Sequence, residues 1–182
     1  FADTIDPEYT GRLAQFLKII PADELLVIAV SKPGTTMESV ENLRLVPPEA
    51  RLVFVTDRGS QWWNETETRG AQHLEIPKEI GGRFSVFSPA GLFPLRAAGV
   101  DIAAFLEGAA EIAPADALSS AAILFLHSSR GKNIHDTFFF HPELESLGKW
   151  YRQLLAESVG KDGKGITPTV SVGTIDLHSV GQ

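Results

Sequence analysis

The first half of the chain alternates short apolar runs with segments in which apolar residues recur at helical spacing. The runs at 24–30 and 51–57 are apolar over most of their length, which is typical of strands buried on both faces of a parallel sheet. Three helices and a further strand are predicted at 10–20, from about 36, at 60–69 and at 72–76. Because strands and helices alternate, the sequence predicts an α/β fold with right-handed crossovers between parallel strands.

The second half of the chain continues this alternation after a helical stretch. We expect the helices between 84 and 111 to break at Pro94 and again at Gly99. The later helices and strands are predicted at 116–129, 133–140, 142–160 and 166–172. Two α/β units are therefore expected to meet near residues 97–115.

Neither end of the sequence carries a clear element boundary. Residues Phe1 to Ile5 have the composition of a strand already under way, and Val180 to Gln182 give no helix-stop signal. We therefore expect the chain to be an internal segment of a longer protein.

Composition narrows the classes of partner. A content of 43% hydrophobic and 21% charged residues is ordinary for a globular protein with a buried core. The net charge of −7, without a basic stripe, argues against nucleic acid, whereas local cations and helix N-termini can still hold a small phosphorylated metabolite. The absence of cysteine excludes disulfides and thiolate chemistry and is typical of cytoplasmic proteins. No membrane association is expected, because the apolar runs are too short to span a bilayer.

A hydroxyl-rich segment, Ser31 to Ser39, follows the first predicted strand and opens a helix. Its hydroxyls and free backbone N–H groups would converge at the positive end of that helix, so the segment is a candidate anion site. A capping box formed by Thr35 and Glu38 would explain the same residues without any ligand, and both interpretations stay open. The segment lacks the glycine and lysine spacing of a nucleotide-binding loop.

Two other segments could take part in catalysis. Gly82 and Arg83 precede an apolar helix, where a guanidinium could stabilise developing negative charge; a surface arginine in a helix-start turn is the alternative. Gln153 and Glu157 share one face of a predicted helix. The helix dipole and burial would make Glu157 a better proton acceptor, although without further context a solvated glutamate at a frayed helix end is the favoured interpretation.

Histidine is the remaining source of acid–base chemistry. His178 lies close to Asp176 and Ser179, but proximity in sequence does not establish the geometry of a catalytic triad. The five histidines are scattered, and without cysteine or a His-Glu-x-x-His spacing they do not predict a metal site.

Taken in order, these segments resemble the motif set of glucose-6-phosphate isomerases, particularly the bacterial type. The set comprises Ser31-Lys-x-Gly-Thr-Thr-x-Glu, Gly81-Gly-Arg-Phe-Ser, Glu157-Ser-x-Gly-Lys161 and Gly173-Thr-x-Asp-x-His-Ser179. The resemblance covers nearly the whole chain. That family has two sugar isomerase domains, each a parallel sheet wrapped by helices. Residues 1–97 would be the later part of the first domain, and 98–182 the connecting helices and the early part of the second.

The resemblance implies an aldose–ketose isomerase of glycolysis and gluconeogenesis that needs neither cofactor nor metal. It would interconvert glucose 6-phosphate and fructose 6-phosphate through a cis-enediolate. The implied phosphate ligands are Ser31, Lys32, Thr35 and Thr36, with the lysine acting through its backbone N–H.

The resemblance also implies roles for five further residues. Arg83 would stabilise the enediolate, with the Gly82 backbone nearby. Gln153 would help to position the substrate, and Glu157 would move a proton between C2 and C1. His178 would assist ring opening from the partner subunit, which implies a homodimer.

The sequence departs from the family pattern in ways that affect these expectations. Pro33 stands where the family often has serine or threonine, which removes one hydroxyl and one N–H and predicts weaker phosphate binding. The family's earlier glycine-serine loop and its C-terminal catalytic lysine have no counterpart here, so we expect the isolated chain to be inactive.

Two other functions fit part of the pattern. A non-catalytic sugar-phosphate-binding module of a regulator would contain the same Ser31 to Ser39 segment, but it would not need a base, an enediolate stabiliser and a ring opener together. An amidotransferase-type sugar isomerase is the second alternative, and the Gly-Gly-Arg and Glu-Ser-x-Gly-Lys motifs count against it.

Overall fold

The computed structural model describes residues 1–69 and 71–181. The chain divides into two compact units, residues 1–106 and residues 107–182. Gly70 and Gln182, which fall within the two predicted domain ranges, lie outside the described residues. The division into two sugar isomerase domains at residues 97 and 98 stays a prediction.

The first unit is built on a three-stranded parallel sheet in the order β1-β2-β3. Its elements are α1 (Pro7–Leu17), β1 (Leu26–Val30), α2 (Met37–Leu43), β2 (Arg51–Thr56), α3 (Gln61–Arg69), β3 (Gln72–Glu75) and α4 (Pro89–Ala97). Short 3₁₀ helices occupy Ala22–Glu24 and Gly82–Phe87. Helix α5 (Ile102–Ala110) runs across the division between the units.

The core of the first unit forms around the middle strand. Phe54 of β2 packs edge-to-face on Trp62 of α3, with ring centroids 5.2 Å apart, and Ala29 of β1 completes the buried cluster. The partly buried residues packed against this cluster are Val40, Leu43, Leu52 and Ala71. An aromatic pair of this geometry contributes about 0.5–1.5 kcal/mol beyond the burial of its area. The cluster thus holds α2 and α3 against the same face of the sheet.

The second unit contains a two-stranded parallel sheet and its crossover helix. Its elements are α6 (Pro114–Ser129), β4 (Ile134–Phe139), α7 (Glu145–Val159), β5 (Thr167–Val172) and α8 (Gly173–Ser179), with a 3₁₀ turn at Pro142–Leu144. Strands β4 and β5 pair in parallel from Ile134 opposite Thr167 to Phe139 opposite Val172. Both units therefore confirm the predicted α/β fold class with parallel sheets flanked by helices.

Helix α7 lies directly on the second sheet at a glycine. A Cβ added to Gly148 would approach Phe139 Cε2 at 2.6 Å and Val170 Cγ1 at 2.7 Å. These two residues belong to the neighbouring strands β4 and β5, so the missing side chain is what allows the helix to approach both. The Gly148 side of α7 is consequently fixed as the side facing the sheet.

Two predicted features are wrong. Residues 1–5 form no strand; instead the carbonyls of Ala2 and Thr4 accept hydrogen bonds from the Asn42 side chain at 3.1 and 2.9 Å. Helix α4 runs through Pro94 without a break. A proline removes one backbone donor, but the helix continues to Ala97, and its start is capped by the Ser88 hydroxyl, which accepts from the Ala90 N–H at 3.2 Å.

No single helix of the described chain is long and apolar enough to cross a membrane. The consecutive helices α5 and α6 satisfy the criterion of length and composition only when they are taken together, and a bend separates them.

Replacing Gly148 with alanine is expected to lower the free energy of unfolding by about 1–3 kcal/mol, since the new methyl group would overpack the contact with Phe139 and Val170. Chemical denaturation of the full-length protein measures this change. The matched control is Gly108→Ala in α5, where an added Cβ meets nothing within 4 Å. The control is expected to keep or slightly raise the stability, by up to about 1 kcal/mol. Equal losses at both positions would contradict the close approach of α7 to the sheet.

Candidate functional site

Three loops of the first unit follow the carboxyl ends of its parallel strands. Backbone hydrogen bonds continue beyond the strands and tie these ends together: Ser31 N–H to Val55 O at 3.1 Å, Asp57 N–H to Lys32 O at 3.0 Å, and Ile76 N–H to Thr56 O at 2.8 Å. In open parallel α/β sheets, ligands bind at this carboxyl edge. Six of the nine predicted site residues follow two of these strands, in the loop after β1 or at the start of the 3₁₀ helix beyond β3: Ser31, Lys32, Thr35, Thr36, Gly82 and Arg83.

Ser31 and Thr36 are brought together at the end of β1. The Ser31 side chain belongs to a residue that is only 4% exposed, and its hydroxyl lies 2.8 Å from the Thr36 hydroxyl. The Thr36 N–H donates to the same serine oxygen at 3.4 Å. A buried hydroxyl is thus fixed between the strand end and the start of α2, while Thr35 and Thr36 are exposed.

The capping box expected from Thr35 and Glu38 does not form. Thr36, not Thr35, precedes the first residue of α2, and within the described helix no side chain caps its N-terminus. The hydroxyl that would be available for capping is the one bonded to Ser31. The capping-box form of the ligand-free explanation is therefore wrong, and the anion site stays a prediction.

Gly34 allows the loop to pass close to α3. Its φ is +69°, and an added Cβ would lie 2.8 Å from the Trp62 backbone nitrogen. Glycine adopts such a conformation readily and leaves room for the close approach. The loop is therefore held against the buried tryptophan of the core.

The Lys32 side chain extends from this loop to the turn that follows β3. Its ammonium donates to the Lys78 carbonyl at 2.8 Å and to the Ile80 carbonyl. Sequence reasoning missed this contact because 46 residues separate Lys32 from Lys78, and no local pattern pairs a lysine with a distant backbone carbonyl.

Gly82 and Arg83 open the 3₁₀ helix that precedes α4. The guanidinium carbon of Arg83 lies 4.8 Å from the centroid of the Phe84 ring, the geometry of a cation–π contact. Gly82 is exposed, and an added Cβ there would meet nothing within 4 Å. The arginine is partly buried, and the glycine beside it leaves its backbone sterically accessible.

Gln153 and Glu157 form the expected pair one turn apart on α7, with the Gln153 amide donating to the Glu157 carboxylate at 2.8 Å. Both side chains are exposed, which agrees with the solvated-glutamate interpretation and shows that the alternative of a buried Glu157 is wrong for this chain. The physical reason is its position on the helix. Glu157 lies on the opposite side of α7 from Gly148, which faces the sheet.

His178 lies exposed near the end of α8. The neighbouring carboxylate of Asp176 accepts hydrogen bonds from the Val172 N–H at 2.7 Å and from the Ser179 hydroxyl at 2.9 Å. Asp176 thus stabilises the start of α8. The described residues include no group of three or more histidine, aspartate and glutamate side chains arranged to hold a metal ion.

A Gly34→Ala substitution is expected to weaken binding of inorganic phosphate to the full-length protein by about tenfold or more, equivalent to about 1.4 kcal/mol. The new methyl group would clash with the Trp62 backbone and displace the loop. Gly59→Ala is the matched control, because Gly59 has a similar φ of +78° but open space around an added Cβ. Calorimetric titration of both variants makes the comparison. Unchanged phosphate affinity in a folded Gly34→Ala variant would remove this loop from the anion site.

Comparison with known proteins gives a consistent result, although no family model matches the chain. A glucose-6-phosphate isomerase from Methanocaldococcus jannaschii is 37% identical over 199 residues, covering 100% of this chain and 49% of the relative. One from Rubrobacter xylanophilus is 38% identical over 200 residues, covering 98% of this chain and 46% of the relative. The chain thus spans about half the length of the curated relatives it matches.

Solved structures agree with the sequence matches. A hypothetical protein from Thermus thermophilus gives a TM-score of 0.85 at 34% identity, covering 98% of this chain and 48% of that one. A glucose-6-phosphate isomerase from Chlamydia trachomatis gives a TM-score of 0.74 at 26% identity, covering 100% of this chain and 40% of that one. The predicted resemblance is thereby confirmed: over its whole length, this chain is homologous to about half of a glucose-6-phosphate isomerase.

Proposed function

We propose that the full-length protein is an aldose–ketose isomerase that interconverts glucose 6-phosphate and fructose 6-phosphate in glycolysis and gluconeogenesis. The observation that carries this proposal is the match of nearly the whole chain, at 37% and 38% identity, to relatives named glucose-6-phosphate isomerase. These names support an enzyme over the non-catalytic regulator module. The reaction moves one hydrogen between C2 and C1 through a cis-enediolate, so it requires a base and a group that stabilises the enediolate.

The substrate phosphate is proposed to bind in the loop of residues 31–36, hereafter the phosphate loop. The buried Ser31 hydroxyl and its Thr36 partner supply two polar groups at the carboxyl edge of the sheet, and Thr35 adds an exposed hydroxyl. Lys32 would act through its backbone N–H, since its ammonium is bonded to the turn after β3. Pro33 has no N–H to offer, so the loop has fewer donors than a loop with serine or threonine there.

Arg83 is proposed to stabilise the enediolate. A guanidinium is permanently charged and planar, and it is well suited to an oxyanion that forms during the reaction. Contact with the Phe84 ring restricts its position before substrate arrives. The accessible backbone of Gly82 would lie beside the same oxygens.

Glu157 is proposed to transfer the proton between C2 and C1, with Gln153 positioning the substrate. The amide of Gln153 donates to the Glu157 carboxylate, and this bond limits the rotation of both side chains. A positioned carboxylate contributes about 10²–10⁴-fold to such a proton transfer.

A homodimer and a cytoplasmic location complete the proposal. His178 would assist opening of the sugar ring in the partner's site, because in the family that the chain resembles this histidine acts across the subunit interface. Its exposed position on α8 would leave it accessible to a partner subunit.

Glu157→Gln is expected to lower the rate of fructose 6-phosphate formation by about 10²–10⁴-fold, since the amide cannot accept the proton. Binding of the phosphosugar should persist. The matched control is Glu145→Gln on the same helix, whose carboxylate pairs with Lys149 at 2.8 Å and which should keep wild-type turnover. A coupled assay on the full-length protein measures each rate. Near wild-type turnover in Glu157→Gln would show that the base is wrongly assigned, and a wild-type protein that binds phosphosugar without converting it would favour the regulator.

Mixing two inactive variants tests whether His178 acts across a dimer interface. In a hybrid of Glu157→Gln and His178→Ala subunits, one of the two sites would combine both intact residues if the histidine comes from the partner. Random reassembly should then restore about a quarter of the wild-type activity per subunit, because about half of the dimers are hybrids. Absence of recovery, with hybrid dimers demonstrated by mass spectrometry, would place the histidine in its own subunit's site.

A further inference from the structure

Lys32 links two segments for which the proposed function requires a fixed separation. One is the phosphate loop, and the other is the segment of residues 77–83, hereafter the arginine turn, which ends at Arg83. The ammonium donates to two carbonyls of that turn, those of Lys78 at 2.8 Å and Ile80. An ammonium has three donors and no acceptor, and hydrogen bonds from a charged donor are about twice as strong as neutral ones.

The backbone carbonyl of Lys32 is hydrogen-bonded, as its ammonium is. Its carbonyl accepts from the Asp57 N–H at 3.0 Å and from the Thr56 hydroxyl at 3.2 Å, so it is tied to the end of the central strand. Lys32 is a partly buried residue; its bond to the Ile80 carbonyl is partly buried, and its bond to the Lys78 carbonyl is exposed. Lys32 therefore connects the end of β2, which bonds to its backbone carbonyl, with the arginine turn, which bonds to its ammonium.

The arginine turn depends on such an anchor. The Ile80 N–H donates to the Pro77 carbonyl at 3.0 Å, and the Ile80 carbonyl is the last one that Lys32 holds before Arg83. Gly81 and Gly82 stand between that carbonyl and the arginine. Glycine has more conformational freedom to lose than any other residue, so bonds to the carbonyl just before the glycines add to the 3₁₀ helix and the Phe84 contact in fixing the position of Arg83.

We propose that the Lys32 ammonium is a positioning group that holds Arg83 at the correct distance from the phosphate loop, an inference that rests on the proposed isomerase function. In a substrate whose phosphate is bound in the loop, the reacting carbons lie at a distance set by the sugar. A displacement of about 1 Å between the binding group and the reacting group can cost about 10²-fold in rate. Loss of the hydrogen bonds from the Lys32 ammonium should therefore reduce the rate of the chemical step and leave phosphate binding intact.

The test compares Lys32→Met, which keeps an unbranched chain without donors, with Lys32→Arg, which keeps the charge and the donors. In the full-length protein, Lys32→Met is expected to lower kcat about 10- to 100-fold, with the Kd for inorganic phosphate unchanged within about threefold. Lys32→Arg should recover part of kcat.

Two controls accompany these variants. Lys18→Met, which replaces an exposed lysine of the same unit, should match the wild type. In an Arg83→Ala background, Lys32→Met should cause no further loss, because the lysine acts through the arginine.

A second readout does not depend on activity. Amide hydrogen exchange at Gly81, Gly82 and Arg83 should be faster in Lys32→Met than in the wild type, with exchange in β1 and β2 unchanged. A parallel loss of phosphate affinity with kcat intact would make the ammonium a direct phosphate ligand and overturn the proposal. Unchanged exchange at these three amides would also overturn it, whether or not the wild type proves to be an isomerase. Absence of isomerisation in the wild type, by contrast, would refute the proposed function itself.

Discussion

Parallel pairing of β1, β2 and β3 is the constraint on which the candidate site of the first unit depends. Strands that run in one direction deliver their following loops to one edge, and the backbone bonds from Ser31, Asp57 and Ile76 extend that pairing beyond the strands. The phosphate loop, the end of β2 and the arginine turn are consequently neighbours. The Phe54–Trp62 pair beneath them holds the flanking helix against which Gly34 packs. The geometry of the loops therefore follows from the sheet and its core.

The second unit has the same strand–helix–strand arrangement, but there it leaves the side chain of Glu157 exposed. Contact at Gly148 places one side of α7 on the sheet and turns the opposite side, with Glu157, outward. The carboxylate is oriented by Gln153 and not by burial. If Glu157 is the base, as proposed, it would acquire a catalytic environment only when substrate and further protein groups surround it, which is why the activity is proposed for the full-length protein.

Features set by local sequence were predictable, and features set by distant contacts were not. The apolar runs that became β1 and β2 are buried because both faces of a parallel strand are covered, and such runs can be recognised in the sequence alone. Residues 1–5 were wrongly expected to form a strand because the side chain that holds them, Asn42, lies far along the chain. The capping box failed for a local reason instead: α2 begins one residue later than a Thr35 cap requires, and the Thr36 hydroxyl bonds to Ser31. The link from Lys32 to the arginine turn left no signal in the sequence.

The central claim is that the full-length protein transfers a proton between C2 and C1 of a phosphosugar. Incubation with glucose 6-phosphate in D₂O, followed by NMR, tests it directly, because a proton held by a carboxylate can exchange with solvent before it returns to carbon. We expect that fructose 6-phosphate forms and that part of it carries deuterium at C1. Binding of the sugar without conversion, or conversion with no deuterium in the product, would contradict it.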